Sequence, residues 1–270
     1  MSDSSQYQRR FGGTQTLYGD SAFKAYEQAH VYVIGVGGVG SWAAEGLART
    51  AVGTITLVDL DVLVASNVNR QLPALDAQFG QSKIAAMAER IKQINPRVQL
   101  NLVDDFLTAD NIHELLPDRQ ALKQAQQNGQ QIVILDCIDD MSAKIALALH
   151  CRFNKLKLIC AGGAGGKTDP LQVTVSDLKD SYQDPLLARL RSKLRFDKGI
   201  NTELKDKFGI RCVYSVQPPM VNHAKDDKGS NQCQTGGLHC GGYGSAVAVT
   251  SVVGMVMVSE ALKIIAQTRT

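Results

Sequence analysis

Gly35, Gly37 and Gly40 make a G-x-G-x-x-G turn inside the run GVGGVGSW, and Gly38 adds a fourth position without a side chain. The turn follows the apolar run HVYVI and precedes a small-residue stretch, SWAAEGLART. Bare backbone at such a turn can approach phosphates, and the N-terminus of the helix that follows favours their negative charge. A second apolar run, TITLV, ends in Asp59, whose carboxylate could accept both hydroxyls of a ribose. These residues alone fit a nicotinamide-dependent oxidoreductase at least as well as any other nucleotide-binding enzyme.

The next segment, DLDVLVASNVNRQLPALDAQFGQSKIAAMAERI, changes that reading. It puts Asp61, Asn67, Asn69, Arg70, Gln71 and Lys83 just past the ribose carboxylate. Hydride transfer has no need of two cations beside the phosphates. A site that expels pyrophosphate does need them, because negative charge builds on the leaving group. Either cation alone would pass as a solvated surface charge, so the argument rests on their joint placement. Asp139 closes the run IVILDCID, and a carboxylate at the C-terminal end of a parallel strand faces the ligand crevice and suits Mg2+. Asp136 and Asp140 are lesser candidates for the metal, and Asp136 could instead cap the next helix.

The elements that must hold these residues alternate along the chain. Short β-branched runs from His30, over 54–59, 98–105, 132–140 and 156–163 are separated by helical patterns after Gly40, after Ser82, around 110–128 and over 142–154. Such alternation predicts an α/β, doubly wound, Rossmann-like fold with a mostly parallel sheet, whose ligands bind at the carboxyl ends of the strands. Residues 1–165 read as an N-terminal arm and a nucleotide-binding region built on one sheet. Residues 166–270 read as a more irregular part completing the same domain. There LQVTVSD and IRCVYSVQ alternate like more exposed strands around a charged helical insert, and HAKDDKGSNQCQTGG (223–237) has the composition of a mobile loop. From Cys240 to Ser259 the chain carries no charge, but the densest apolar stretch has the length of a buried helix, and Glu260 and Lys263 continue its pattern. That reads against a membrane span, although such a helix also suits peripheral association with a membrane.

Composition sets the outer bounds. A chain of 270 residues with 44% hydrophobic content can bury a core without disulfides or metals. The net charge of +3 leans toward an anionic partner without reaching the basicity of a dedicated nucleic-acid-binding module. None of the six cysteines has C-x-x-C spacing, so no zinc is expected, and the opening MSDSSQYQRR lacks a secretory leader, which points to the cytoplasm. Cys137, Cys151 and Cys212 read as buried packing residues. Cys240, in LHCGGYGS ahead of the last helix, is a candidate reactive thiol, with an inert core residue as the competing reading.

GVGGVGSW at 35–42, D-L-D at 59–61, SNVNRQ at 66–71, Lys83 in QSK and LDCIDD at 135–140 together resemble the ubiquitin-activating-enzyme-like (ThiF-type) family, which includes the adenylyltransferases of molybdopterin and thiamine biosynthesis. The resemblance implies ATP with its ribose on Asp59, its triphosphate on Asn69, Arg70 and Lys83, and Mg2+ at Asp139. The segment YQRRFGGTQTLYGD matches an arm whose arginine, here Arg10, reaches the ATP of the other subunit, which implies a homodimer.

Within that family, RRFGGTQTLYG, SWAAEGLART, NRQLPAL, LVDDF, AGGAGGKTDP, QDPLLARLR and HCGGYGSA are similar to the tRNA threonylcarbamoyladenosine dehydratases over nearly the whole chain. Those enzymes use ATP to activate the threonyl carboxylate of the modified adenosine and close it into a ring with loss of water. The resemblance implies tRNA as partner, with a cysteine desulfurase and its sulfur acceptor as further candidates. It also suggests K+ or Na+ on the carbonyls of Ala161, Gly162, Gly163 and Gly165, where a plain tight turn is the alternative. Residues 179–211 hold nine basic against five acidic residues, and Arg189, Arg191, Lys193 and Arg195 fall in helical register, a face that could track tRNA phosphates. The alternative activity is adenylation of a ubiquitin-like sulfur carrier, whose activators usually carry two C-x-x-C pairs missing here. A nicotinamide-dependent oxidoreductase is more remote.

Overall fold

The computed structural model describes residues 3–200, 203, 205–220 and 243–267. Its strands are β1 (His30–Ile34), β2 (Thr54–Val58), β3 (Gln99–Val103), β4 (Ile132–Asp136), β5 (Lys157–Ala161), β6 (Val173–Asp177) and β7 (Arg211–Ser215). They form one seven-stranded sheet in the order β3-β2-β1-β4-β5-β7-β6, parallel except for β6. The helices are α1 (Asp3–Tyr18), α2 (Asp20–Gln28), α3 (Gly40–Arg49), α4 (Lys83–Ile94), α5 (Ile112–Leu115), α6 (Arg119–Gln127), α7 (Met141–Asn154), α8 (Pro185–Ser192) and α9 (Val247–Gln267).

Strand alternation sorts side chains onto two faces, and each face has its own helical layer. Val31, Val33, Ile55, Leu57, Val133 and Leu135 pack with α2, α3, α4 and α9. Ile34, Ile132, Ile134, Leu158 and Cys160 pack with α5 to α8. The register places the site. Ile34 pairs with Val58 on one side and with Asp136 on the other, so the chain leaves β1, β2 and β4 at one level. The strand order also reverses between β1 and β4, the position where doubly wound sheets open a crevice.

The structure corrects the expected strand exposure in the C-terminal part. IRCVYSVQ supplies β7, which inserts between β5 and β6, and Cys212, Val213 and Tyr214 are buried. The helical stretch expected over 110–128 is two helices, divided at Pro117 because proline lacks an amide donor and Asp118 caps α6 by accepting from Ala121 N. The last helix begins at Val247, so Gly244 is not part of it. By length and composition α9 could cross a membrane, but Val249, Val253, Met257, Ala261 and Ile265, four residues apart in turn, are buried against the sheet and α3.

Candidate active site

The glycine turn is shaped by close approach. Gly35 has φ +86°, and a Cβ there would lie 2.9 Å from Ile138 Cγ2. A Cβ at Gly40 would lie 1.8 Å from the carbonyl oxygen of Gly35. Both positions therefore require glycine. Ser41 ties the turn to the following segment: its hydroxyl donates to Gly37 O at 2.7 Å and accepts the amide of Leu72 at 3.2 Å.

Asp59 is held from both sides. Its Oδ2 accepts the amide of Val36 at 2.6 Å and its Oδ1 that of Asp61 at 2.9 Å. Burial raises its pKa above the usual carboxylate value, against the opposing charge of Lys83. Lys83 opens α4, and its ammonium sits 2.6 Å from Asp61 Oδ2 and 3.7 Å from Asp59 Oδ1. The ribose candidate and a phosphate candidate thus form one partly desolvated ion cluster beside the turn.

Arg70 lies across the glycines, with its stem 3.2 Å from a Cβ position at Gly38. Its guanidinium donates to Ser66 O and to Asn69 Oδ1, and Trp42 Nε1 fixes its backbone by donating to Arg70 O at 3.0 Å. Burial lowers the Arg70 pKa while the charge of Asp139 opposes that shift, so the two residues share one field. Gln71 is buried by Gly37, and its Oε1 has no hydrogen-bond partner among the described residues. An orphaned buried acceptor over a bare turn is a feature that a bound ligand would satisfy. Asn69 keeps its amide on Ser245 O at 2.6 Å. Asn67 is buried and its Oδ1 accepts from Val64 N, so it also shapes the chain locally.

Three carboxylates at and after the end of β4 do three different things. Asp136 is buried in an ion pair with Lys144 at 2.9 Å and also accepts from the thiol of Cys160. It does not cap the next helix; Asp140 does, accepting from Ala143 N at 2.8 Å. Asp139 is exposed at the carboxyl edge of the sheet. Among the described residues no cluster of three His, Cys, Asp or Glu side chains could hold a metal. A single exposed carboxylate still suits Mg2+, which takes one or two protein carboxylates and completes its shell from phosphates and water.

Other expected residues lie apart from this centre. Arg10 donates to the carbonyls of Gln93 and Ile94 at the end of α4, so in its own chain it is separated from Lys83 by that helix, about 16 Å. After Ala161, Gly162 N donates to Val213 O and Gly163 N to Asp184 Oδ2, so the loop is tied to the sheet and α8. The ammonium of Lys167 is buried there among the carbonyls of Gln183, Ser215 and Gln217. Cys240 and the segment 223–237 lie outside the described residues. Cys151 and Cys212 are buried as expected, whereas Cys137 is only partly so, with its thiol toward Met257. The basic register at 189–195 is not one face. Arg191 donates to Leu178 O and Ser181 O, Arg195 is buried over the ring of Phe208, and Lys193 pairs with Asp197.

Ser41 and Trp42 stand in the glycine motif itself without a residue type that signals their role, and Lys144 is a lone charge just ahead of the apolar run IALALHC.

Comparison with known proteins agrees with this geometry. The ThiF family model matches residues 7–270. The chain is 43% identical over 264 residues to the tRNA threonylcarbamoyladenosine dehydratase of Escherichia coli K12, covering 96% of this chain and 94% of the relative. It is 38% identical over 259 residues to that of Haemophilus influenzae, covering 95% and 93%. The crystal structure of the E. coli dehydratase in complex with ATP superposes with a TM-score of 0.82 at 41% identity, over 98% of this chain and 96% of that one. With the glycine turn, the buried aspartate and the paired cations in place, the chain belongs to the ThiF family.

Proposed function

We propose that this protein uses ATP and Mg2+ to dehydrate N6-threonylcarbamoyladenosine in tRNA to its cyclic form. The observation that carries the reading is the cluster of Asp59, Lys83, Arg70 and Asp139 around the bare turn Gly35–Gly40, in a chain similar over nearly its whole length to dehydratases of that name. A free carboxylate is a poor electrophile. ATP supplies the remedy: the threonyl carboxylate takes the adenylyl group, pyrophosphate leaves, the neighbouring carbamoyl group attacks the acyl carbon, and AMP departs.

The chain's own residues prepare each part. Asp59, pinned by two amides, presents a carboxylate to the ribose hydroxyls. Gly35, Gly37, Gly38 and Gly40 let the backbone approach phosphate, with the donor Nε2 of Gln71 beside Gly37. Lys83 and Arg70 oppose the charge that builds on pyrophosphate. Asp139 would hold Mg2+ together with phosphate oxygens. Arg10, remote from the centre of its own chain, serves the site of a second copy in a homodimer, and the reaction takes place in the cytoplasm.

The test is mass spectrometry of nucleosides from threonylcarbamoyladenosine-bearing tRNA after incubation with the protein, Mg2+ and ATP, beside Asp139→Ala. The expected result is an ATP-dependent loss of one water mass that the variant lacks. An unchanged nucleoside, with ATP shown to bind, would refute the reading.

A further inference from the structure

An open groove of about 480 Å³ borders Arg70. Ser66, Val68, Asn69 and Arg70 form one wall, and Tyr243 and Ser245 the other. The glycines of residues 35–40 do not line it, while the stem of Arg70 packs on Gly38, so Arg70 stands between the turn and the groove.

Both walls are fixed. Asn69 Nδ2 donates to Ser245 O at 2.6 Å and Val247 N to Asn69 O at 3.2 Å, which fastens one wall to the other. Gly166 N donates to Gly244 O at 2.7 Å and Gly166 O accepts from Met220 N at 2.8 Å. The ring of Tyr243 rests on Gly166, where a Cβ would lie 2.9 Å from Cδ1. That contact needs glycine twice over, since Gly166 also has φ +69°. Tyr243 nevertheless stays 38% exposed and Val68 54% exposed.

The groove therefore offers an anchored aromatic ring, an aliphatic patch and a guanidinium. An aromatic ring is the usual platform for an unstacked RNA base, and a guanidinium pairs with a carboxylate. The volume lies within the range of small-molecule sites. The ribose of ATP belongs at Asp59, beyond the glycine turn, so the base in the groove is a different one. We infer that the groove receives the modified adenosine of the tRNA, with its base on Tyr243 and its threonyl carboxylate toward Arg70. The inference rests on the activity proposed above and names the residue that selects the substrate.

Tyr243→Leu keeps the apolar contact with Gly166 and removes the stacking ring; Tyr243→Phe restores it. The KM for modified tRNA, the kcat, and the Kd for ATP without tRNA are measured for each. The expected result for Tyr243→Leu is a rise in the KM for tRNA of roughly 5- to 150-fold, the range for one lost base–aromatic stack. The Kd for ATP stays within about twofold, and Tyr243→Phe recovers most of the loss. A parallel titration uses the free nucleoside with a non-hydrolysable ATP analogue and follows the fluorescence of Trp42, the chain's single tryptophan, whose indole bonds to Arg70 O.

If the wild type dehydrates tRNA and Tyr243→Leu leaves its KM unchanged, the groove assignment falls alone. An equal loss of ATP binding makes Tyr243 a folding residue and also overturns it. A Tyr243-dependent Trp42 signal in a protein that never dehydrates tRNA leaves the groove assignment standing and refutes the activity. Absence of both overturns both.

Discussion

The buried pair of Lys144 and Asp136 gives the most direct test of how the turn bearing Asp139 is held. The two side chains are 0% and 1% exposed and 2.9 Å apart. Lys144 Nζ also donates to Ile138 O at 2.9 Å, inside that turn. Burial alone would depress the lysine, but the charge of Asp136 and its hydrogen bond outweigh burial and raise the pKa. Lys144→Met leaves the buried Asp136 carboxyl with only the Cys160 thiol and the Ile138 amide as hydrogen-bond partners among the described residues, a loss of about 3–5 kcal/mol. For a chain of this size that is a fall in Tm of roughly 6–20 °C. Thermal unfolding by circular dichroism measures it, with Asp136→Leu/Lys144→Met as the second arm. The double variant removes both charges and should recover at least about 2 kcal/mol relative to Lys144→Met, because a buried ion pair is rarely better than an apolar replacement. In Lys144→Met the Mg2+ concentration for half-maximal ATP use should also rise, since Ile138 loses its tether beside Asp139. A Tm loss below about 3 °C, or a double variant no better than Lys144→Met, would show that the pair is hydrated and does not organise the turn.

Lys83→Met removes the cation between Asp59 and Asp61 and one phosphate contact; the Kd for ATP, read by calorimetry, should rise about 10- to 150-fold, the value of a hydrogen bond to a charged group. His30 is partly buried, with its Nε2 at 2.8 Å from Thr56 Oγ1, and burial lowers its pKa to about 4. The unfolded chain then binds the extra proton between about pH 6.5 and 4, so stability rises with pH across that window and is lost on acidification. Urea midpoints should therefore fall more steeply from pH 6.5 to 4 in the wild type than in His30→Gln; parallel slopes would contradict the assignment. Arg10→Ala and Lys83→Met, assayed at an ATP concentration where each is inactive alone and the wild type is saturated, should regain about a quarter of wild-type turnover when their subunits are mixed and exchanged, because half the dimers then hold one intact site. No recovery in a mixture shown to contain hybrid dimers would place Arg10 in its own chain's site.

The strand-turn-helix frame around the candidate nucleotide site is legible in the amino-acid sequence because its information is local. The spacing of Gly35, Gly37 and Gly40 encodes the turn itself, and Asp59 ends an apolar run that can only be a strand beside it. Asp139 carries the signal of a charge placed just after a strand, whereas Arg70 and Lys83 stand out as cations in the segment between β2 and α4. What tertiary structure decided is which partner each side chain takes. β7 looked half exposed until β5, β6 and α9 closed around it. Asn67 and Asn69 are alike in sequence, yet one bonds Val64 and the other reaches Ser245. Arg191 and Arg195 share a helical period with Arg189 but turn inward to carbonyls and a ring. Lys144 and Tyr243 gain their meaning only through Asp136 and Arg70. Periodicity and turn chemistry act over a few residues and so are legible in a string. The joining of two walls into a groove, as where Asn69 meets Ser245, depends on which distant backbone arrives alongside, and packing fixes that.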